Sequence, residues 1–244
     1  MKIKDILTEA DFDPGVKKAL VKAGYKFIKG GQDQDVYLAP DGSILKIFGT
    51  GDGQQVMGEY TEGQQSFIDF AKYCFKNKNN PFLPEVGGIS QFEFNGYYYL
   101  QISIERMFDF DKQRAHWLAN QLEDLARDIA DGYGDVTGVM RDFNYSMDDG
   151  SNDQLYKLVM YLGSEENLRL LITTIKDLAK IADANGYRLD LHSGNFMLGS
   201  DGHIVINDPF FTGSYRGVTD NPDKRSMDSD SSSFDSSKVG FQFR

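Results

Sequence analysis

Apolar residues recur along this chain with two different periods, and the change of period divides it. Up to about residue 105 the dominant pattern is alternation, the mark of strands with one face toward a core. Tyr25–Lys29 runs into Gly30-Gly31, Asp35–Ala39 into the turn Pro40-Asp41-Gly42, and Ser43–Phe48 follows. Strand, turn and strand at such short spacing predict an antiparallel sheet. Ile89–Phe94 and Tyr97–Ile104 flank Asn95-Gly96, a strong short-range hairpin signal. Two helices interrupt this half. One begins near Pro14, with Asp13 as its cap and Gly24 at its end. The other is predicted over Gln55–Phe75, where Val56, Tyr60, Phe67, Phe70 and Cys74 recur at helical spacing.

Beyond residue 105 the period becomes helical. Lys112–Asp131, Asp153–Leu162 and Glu165–Asn185 each carry an apolar stripe, with Gly186 placed to cap the last. Two short strands, Phe196–Leu198 and His203–Ile206, then flank Gly199-Ser200-Asp201-Gly202. From Ser226 to Ser237 seven serines and three aspartates take ten of the twelve positions, a composition too polar to fold alone. The expected organisation is α+β: a sheet-rich part over 1–105, a helical part over 106–216, and a flexible Ser/Asp-rich tail over 217–244.

Composition narrows the function classes. With 40% hydrophobic and 26% charged residues, the chain of 244 can bury a real core. Its formal net charge of −11 argues against gripping nucleic acid through phosphates. The lone cysteine, Cys74, rules out an internal disulfide and a cysteine-rich metal site, in keeping with a reducing cytoplasm. Met1–Leu7 is charged and lacks the apolar run of a signal peptide. No stretch reaches the roughly 20 apolar residues of a membrane span, so no membrane partner is expected.

The chemistry concentrates in Arg188–Phe210. Asp190 and Asn195 lie five positions apart in a loop after a helix, and Asp208 follows Asn195 by thirteen, behind a predicted hairpin. Taken alone, Asp-x-x-x-x-Asn is most often a turn. The second aspartate, brought back to the loop by the hairpin, changes that. Phosphoryl transfer requires a carboxylate to orient a hydroxyl and oxygen ligands to hold magnesium against phosphates. Asp190 suits the first task; Asn195 and Asp208 suit the second. In the third strand, Lys46 shares a face with Ile44 and Phe48, where an unpaired ammonium is costly.

The run Asp190-Leu191-His192-Ser193-Gly194-Asn195, followed by Ile206-Asn207-Asp208-Pro209-Phe210, resembles the catalytic loop and metal-binding aspartate of protein-kinase-like enzymes. It is similar to aminoglycoside and choline kinases, and closest to the early serine/threonine kinases of T7-group podoviruses, which carry Asp-Pro where other kinases have Asp-Phe-Gly. The resemblance extends diffusely over 24–211. It implies a two-lobed fold with a five-stranded antiparallel N-lobe and a mostly helical C-lobe. It further implies ATP and magnesium as cofactors, serines or threonines of host proteins as acceptors, and action in the infected bacterial cytoplasm. Lys46 would meet the ATP phosphates and a helix glutamate, Glu59, which lies beside the apolar stripe of its helix, in preference to Glu62, further round. Gly30 and Gly31 would stand in the phosphate loop, although Asp33 and Asp35 would repel phosphate if turned inward. Glu105, with Arg106, would occupy the adenine-binding hinge, and His192 would shape the loop. The rival readings are a small-molecule kinase and a pseudokinase-like interaction protein. An autophosphorylated tail is a further expectation, against the plainer one of a passive solubilising segment.

Overall fold

The computed structural model describes residues 14–30, 34–48, 57–110, 116–130, 132, 138–139 and 153–212. The readings made above for Asp13, Gly31, Asp33, the first residues of the helices predicted from Gln55 and Lys112, and the tail lie outside these.

Among the described residues the chain forms an α+β structure with a five-stranded antiparallel sheet and five helices. Helix α1 (Pro14–Lys22) leads into β1 (Lys26–Gly30), β2 (Gln34–Leu38) and β3 (Ile44–Phe48). After α2 (Glu62–Lys76) come β4 (Val86–Phe94) and β5 (Tyr97–Ile104). The sheet order is β1-β2-β3-β5-β4, with β3 paired to both β2 and β5. Asn95 and Gly96 both take positive φ, the conformation that the hairpin signal requires. β4 starts earlier than expected, at Val86. The added residues include Gly87-Gly88, through which the strand continues with a register shift. A Cβ on Gly87 would come 3.2 Å from Ser103 Oγ, so the close approach of β5 uses the missing side chain.

Both faces of the sheet are covered. Leu45 and Ile47 face a small cluster with Val16 of α1, Tyr37 and Tyr99. Ile44 and Phe48 face the main core, which also takes in α2 and helices α3 (His116–Ala130), α4 (Asp153–Leu162) and α5 (Glu165–Asn185). α4 and α5 have the bounds that their apolar stripes predict, and Gly186 caps α5 with φ +72°. Aromatic rings lead from the sheet toward the far end of the chain: Phe48 to Phe67 at 5.1 Å, Phe67 to Phe70 at 5.9 Å and Phe70 to Phe210 at 6.3 Å between centroids. No helix among the described residues is long and apolar enough to cross a membrane.

Candidate functional site

After α5 the chain makes β6 (Arg188–Leu189), a 3₁₀ turn (Ser193–Asn195), the hairpin of β7 (Phe196–Leu198) and β8 (Ile204–Ile206), and β9 (Phe210–Phe211). β6 pairs with β9, and the ladder runs one step further, where the Asp190 N–H donates to the Pro209 carbonyl at 2.8 Å. The β7–β8 hairpin likewise extends past Phe196 and Ile206, the Asn207 N–H donating to the Asn195 carbonyl at 2.8 Å. The Asn195 Nδ2 closes the arrangement by donating to the Asp190 carbonyl at 2.6 Å. Three hydrogen bonds thus tie together the segments that bear Asp190, Asn195 and Asp208. The hairpin does bring the end of the loop back to Asn195, as its spacing predicts.

The loop is held from outside and from within. Glu123 on α3 accepts from the Ser193 N–H at 2.9 Å and also takes the Arg127 guanidinium at 3.1 Å. His192 Nδ1 accepts from the Gly194 N–H at 3.0 Å, which leaves Nε2 as the protonated nitrogen of a neutral ring, 3.9 Å from Asp190 Oδ2. A Cβ at Gly194 would lie 2.8 Å from His192 Cε1, so this ring position depends on glycine there.

Lys46 enters from β3. It is only 5% exposed, and its Nζ donates to Asn207 Oδ1 at 3.2 Å. The ammonium stands 4.0 Å from Asp208 Oδ2 and 4.2 Å from the centroid of the Phe67 ring. Burial pulls its pKa below the ordinary lysine value, Asp208 opposes that shift, and Lys29 adds to it. Asp208 itself has φ +51°, a left-handed conformation that non-glycine residues seldom take and that clusters at functional sites. Its Oδ2 accepts a hydrogen bond from Gln34 Nε2 at 3.2 Å.

The helix glutamate expected beside Lys46 is not there. Glu59 lies ahead of α2, exposed, with its carbonyl accepting from Gln91 Nε2 at 3.4 Å. Glu62 is the first residue of the helix and is exposed. The cause is local: Thr61 and Gln64 form a capping box, and Gly58 has φ +92°, so the helix begins at Glu62 rather than near Gln55. Thr61-Glu62-Gly63-Gln64 carries that capping signal inside the segment whose apolar spacing predicts continuous helix. α2 presents to Lys46 the face of an aromatic ring instead of a carboxylate.

Where the resemblance expects a phosphate loop, Gly30 ends β1. A Cβ there would fall 2.9 Å from Asp35 Oδ1, so glycine permits the approach. Asp35 does not turn inward. Its carboxylate accepts from the buried Tyr37 hydroxyl at 3.0 Å, on the face of β2 opposite Val36, which pairs with Lys46. Glu105 follows β5 and returns to Glu85: its N–H donates to the Glu85 carbonyl at 2.8 Å, and its Oε1 accepts from the Glu85 N–H at 3.2 Å. That amide is therefore committed within the protein, and burial raises the carboxyl pKa. Just beyond, Phe108 exchanges two hydrogen bonds of 2.8 Å with Leu198, which ties the segment after β5 to β7.

Asn195 and Asp208 could supply oxygen ligands to a hard cation. Asn195 spends its Nδ2 on Asp190 and keeps Oδ1, Asp208 supplies a carboxylate, and Gln34 turns its Nε2 to that carboxylate while its Oε1 is buried without a hydrogen-bond partner. No group of three or more His, Cys, Asp or Glu that could hold a metal occurs among the described residues. Such a site suits magnesium, which takes one or two protein carboxylates and completes its shell with phosphates and water. Gln34, Asn207, Phe67 and Glu123 escape sequence reasoning because each acts on a residue far away in the chain. No protein-family model matches this chain, and no curated protein matches it significantly.

Proposed function

We propose that this chain is an ATP- and magnesium-dependent phosphotransferase of the protein-kinase-like kind, acting on serine or threonine hydroxyls of proteins in a bacterial host. In this reading residues 1–105 are the nucleotide-binding lobe and 106–216 the helical lobe. The observation that carries the proposal is the pairing of buried Lys46 with half-buried Asp208, made between a sheet strand and the loop that also ties in Asp190 and Asn195.

Each residue has a role that follows from its charge and place. Asp190 orients the acceptor hydroxyl and takes its proton as the oxygen attacks the γ-phosphorus; the bond to the β–γ bridging oxygen breaks, and ADP leaves. Lys46 is a fixed cation at low solvent exposure, where its field on phosphate oxygens is strongest. Asn195 and Asp208 would hold magnesium, which when bound neutralises phosphate charge. Gly30 leaves backbone room at the loop, and Asp35, turned to the opposite face, presents no carboxylate to a phosphate.

The purified chain, incubated with radiolabelled ATP, magnesium and bacterial lysate, tests this directly. Labelled proteins that disappear with Asp190→Asn are the expected result. Label only on small molecules would reassign the acceptor class, and absence of any transfer would overturn the enzymatic reading in favour of an interaction protein.

A further inference from the structure

Gln34 is the first residue of β2, four positions after Gly30, the last residue of β1. Strand alternation puts it on the same face as Val36, whose partner across the ladder is Lys46. From there its amide crosses to a residue 174 positions away: Nε2 donates to Asp208 Oδ2 at 3.2 Å. The other half of the amide, Oε1, is buried and accepts no hydrogen bond. A buried carbonyl oxygen without a donor is destabilising and is rare in folded proteins.

We propose that Gln34 is a direct ligand of the divalent cation at Asp208. Turning the amide about its last side-chain torsion exchanges the two ends, setting Oε1 where Nε2 now stands, beside Asp208 Oδ2. A cation at Asp208 repels the N–H hydrogens and attracts the amide oxygen, a neutral hard ligand of the type magnesium accepts. The same side chain therefore serves two states. Without metal, Nε2 satisfies the carboxylate while Oε1 goes unpaired; with metal, Oε1 ligates the cation and Nε2 takes the place that Oε1 leaves. This inference rests on the reading of Asp208 as a metal ligand, and the experiment separates the two.

Mn²⁺ is titrated into the full chain, with free ion followed by electron paramagnetic resonance, for wild type, Gln34→Leu, Gln34→Glu and Asp208→Asn. Gln34→Leu should weaken binding by about tenfold or more, the scale seen when a supporting group of a metal site is lost. Gln34→Glu, which places a carboxylate oxygen at the same reach, should tighten it. If Gln34 only latches Asp208, Gln34→Leu frees the carboxylate and leaves affinity unchanged or raised, which overturns the proposal. Should Gln34→Leu fail to fold, the direction of the Gln34→Glu change decides. Loss of binding in Asp208→Asn together with wild-type affinity in both Gln34 variants removes Gln34 alone. Wild-type affinity in Asp208→Asn, or no binding to the wild type, removes the metal reading as well.

Discussion

The Lys46 ammonium and the Asp208 carboxylate, 162 positions apart in sequence, stand 4.0 Å from each other, with the lysine side chain 6% exposed and the aspartate 35%. The two partners differ in what solvent does for them. Asp208 keeps contact with water, whereas Lys46 has exchanged its hydration for one carboxylate, one amide oxygen and a ring face. In such a pair the buried partner bears most of the desolvation cost.

Replacing Lys46 with methionine should therefore separate stability from function. The substitution keeps most of the volume and removes the buried charge, so the thermal midpoint should stay level or rise by a few degrees. ATP affinity and transfer should fall, the latter by about 10² or more. Scanning calorimetry with nucleotide titration checks both. A clear drop in the midpoint would mean that Lys46 is held for structure.

Asp190→Asn should leave the fold intact, because the groups that anchor this position are its backbone N–H and carbonyl. The side chain is nearly half exposed and isosteric with the replacement. Transfer should drop by about 10² or more while Mg-ATP binding persists. Turnover within a factor of two of wild type would remove Asp190 from the mechanism.

Gly194→Ala tests the placement of His192. The new Cβ would overlap the imidazole, which is half exposed and free to swing away, so stability should change by no more than about 0.5 kcal/mol. The His192–Gly194 hydrogen bond should break, and transfer should fall with it. In a His192→Ala background the glycine substitution should add no further loss. A double-mutant cycle measured on kcat/KM reads that coupling, and full additivity would show that the two residues act independently.

The alkaline limit of stability should carry the mark of two tyrosines, Tyr37 buried and Tyr187 half-buried. Tyr37 donates to Asp35 at 3.0 Å and Tyr187 to Asp69 at 2.9 Å, and burial raises both phenol pKa values. A raised folded-state pKa gives stability that is complete below the unfolded value, about 10, and is lost as pH climbs through the folded value. Lys46 acts with the opposite sign: its lowered pKa lets stability rise as pH approaches the ordinary lysine value. Urea unfolding across pH 8 to 11 should show a net fall at the upper end. Tyr37→Phe should make it shallower and Lys46→Met steeper. An unchanged slope in Tyr37→Phe would contradict the assignment.

Local pattern by itself determined most of the elements. Alternation marks β2, β3 and β5, and apolar stripes set α4 and α5 to the residue, because burial and intrinsic propensity agree along those segments. The same holds for the Asn95-Gly96 hairpin, and for the return of the β7–β8 hairpin to Asn195, which follows from counting residues between turns. Lys46 also declared itself, since an ammonium on an apolar strand face must find a partner.

Which partner it finds was decided only in three dimensions. Local signals stop α2 at Thr61 and leave Glu59 and Glu62 in solvent, so the helix brings Phe67 to the lysine while Asp208 arrives from the far end of the chain. The turn of Asp35 toward Tyr37 and the reach of Gln34 to Asp208 depend in the same way on how β2 sits in the sheet. Periodicity reports which side of an element is buried, and it carries no record of which distant group will occupy the other side of the contact.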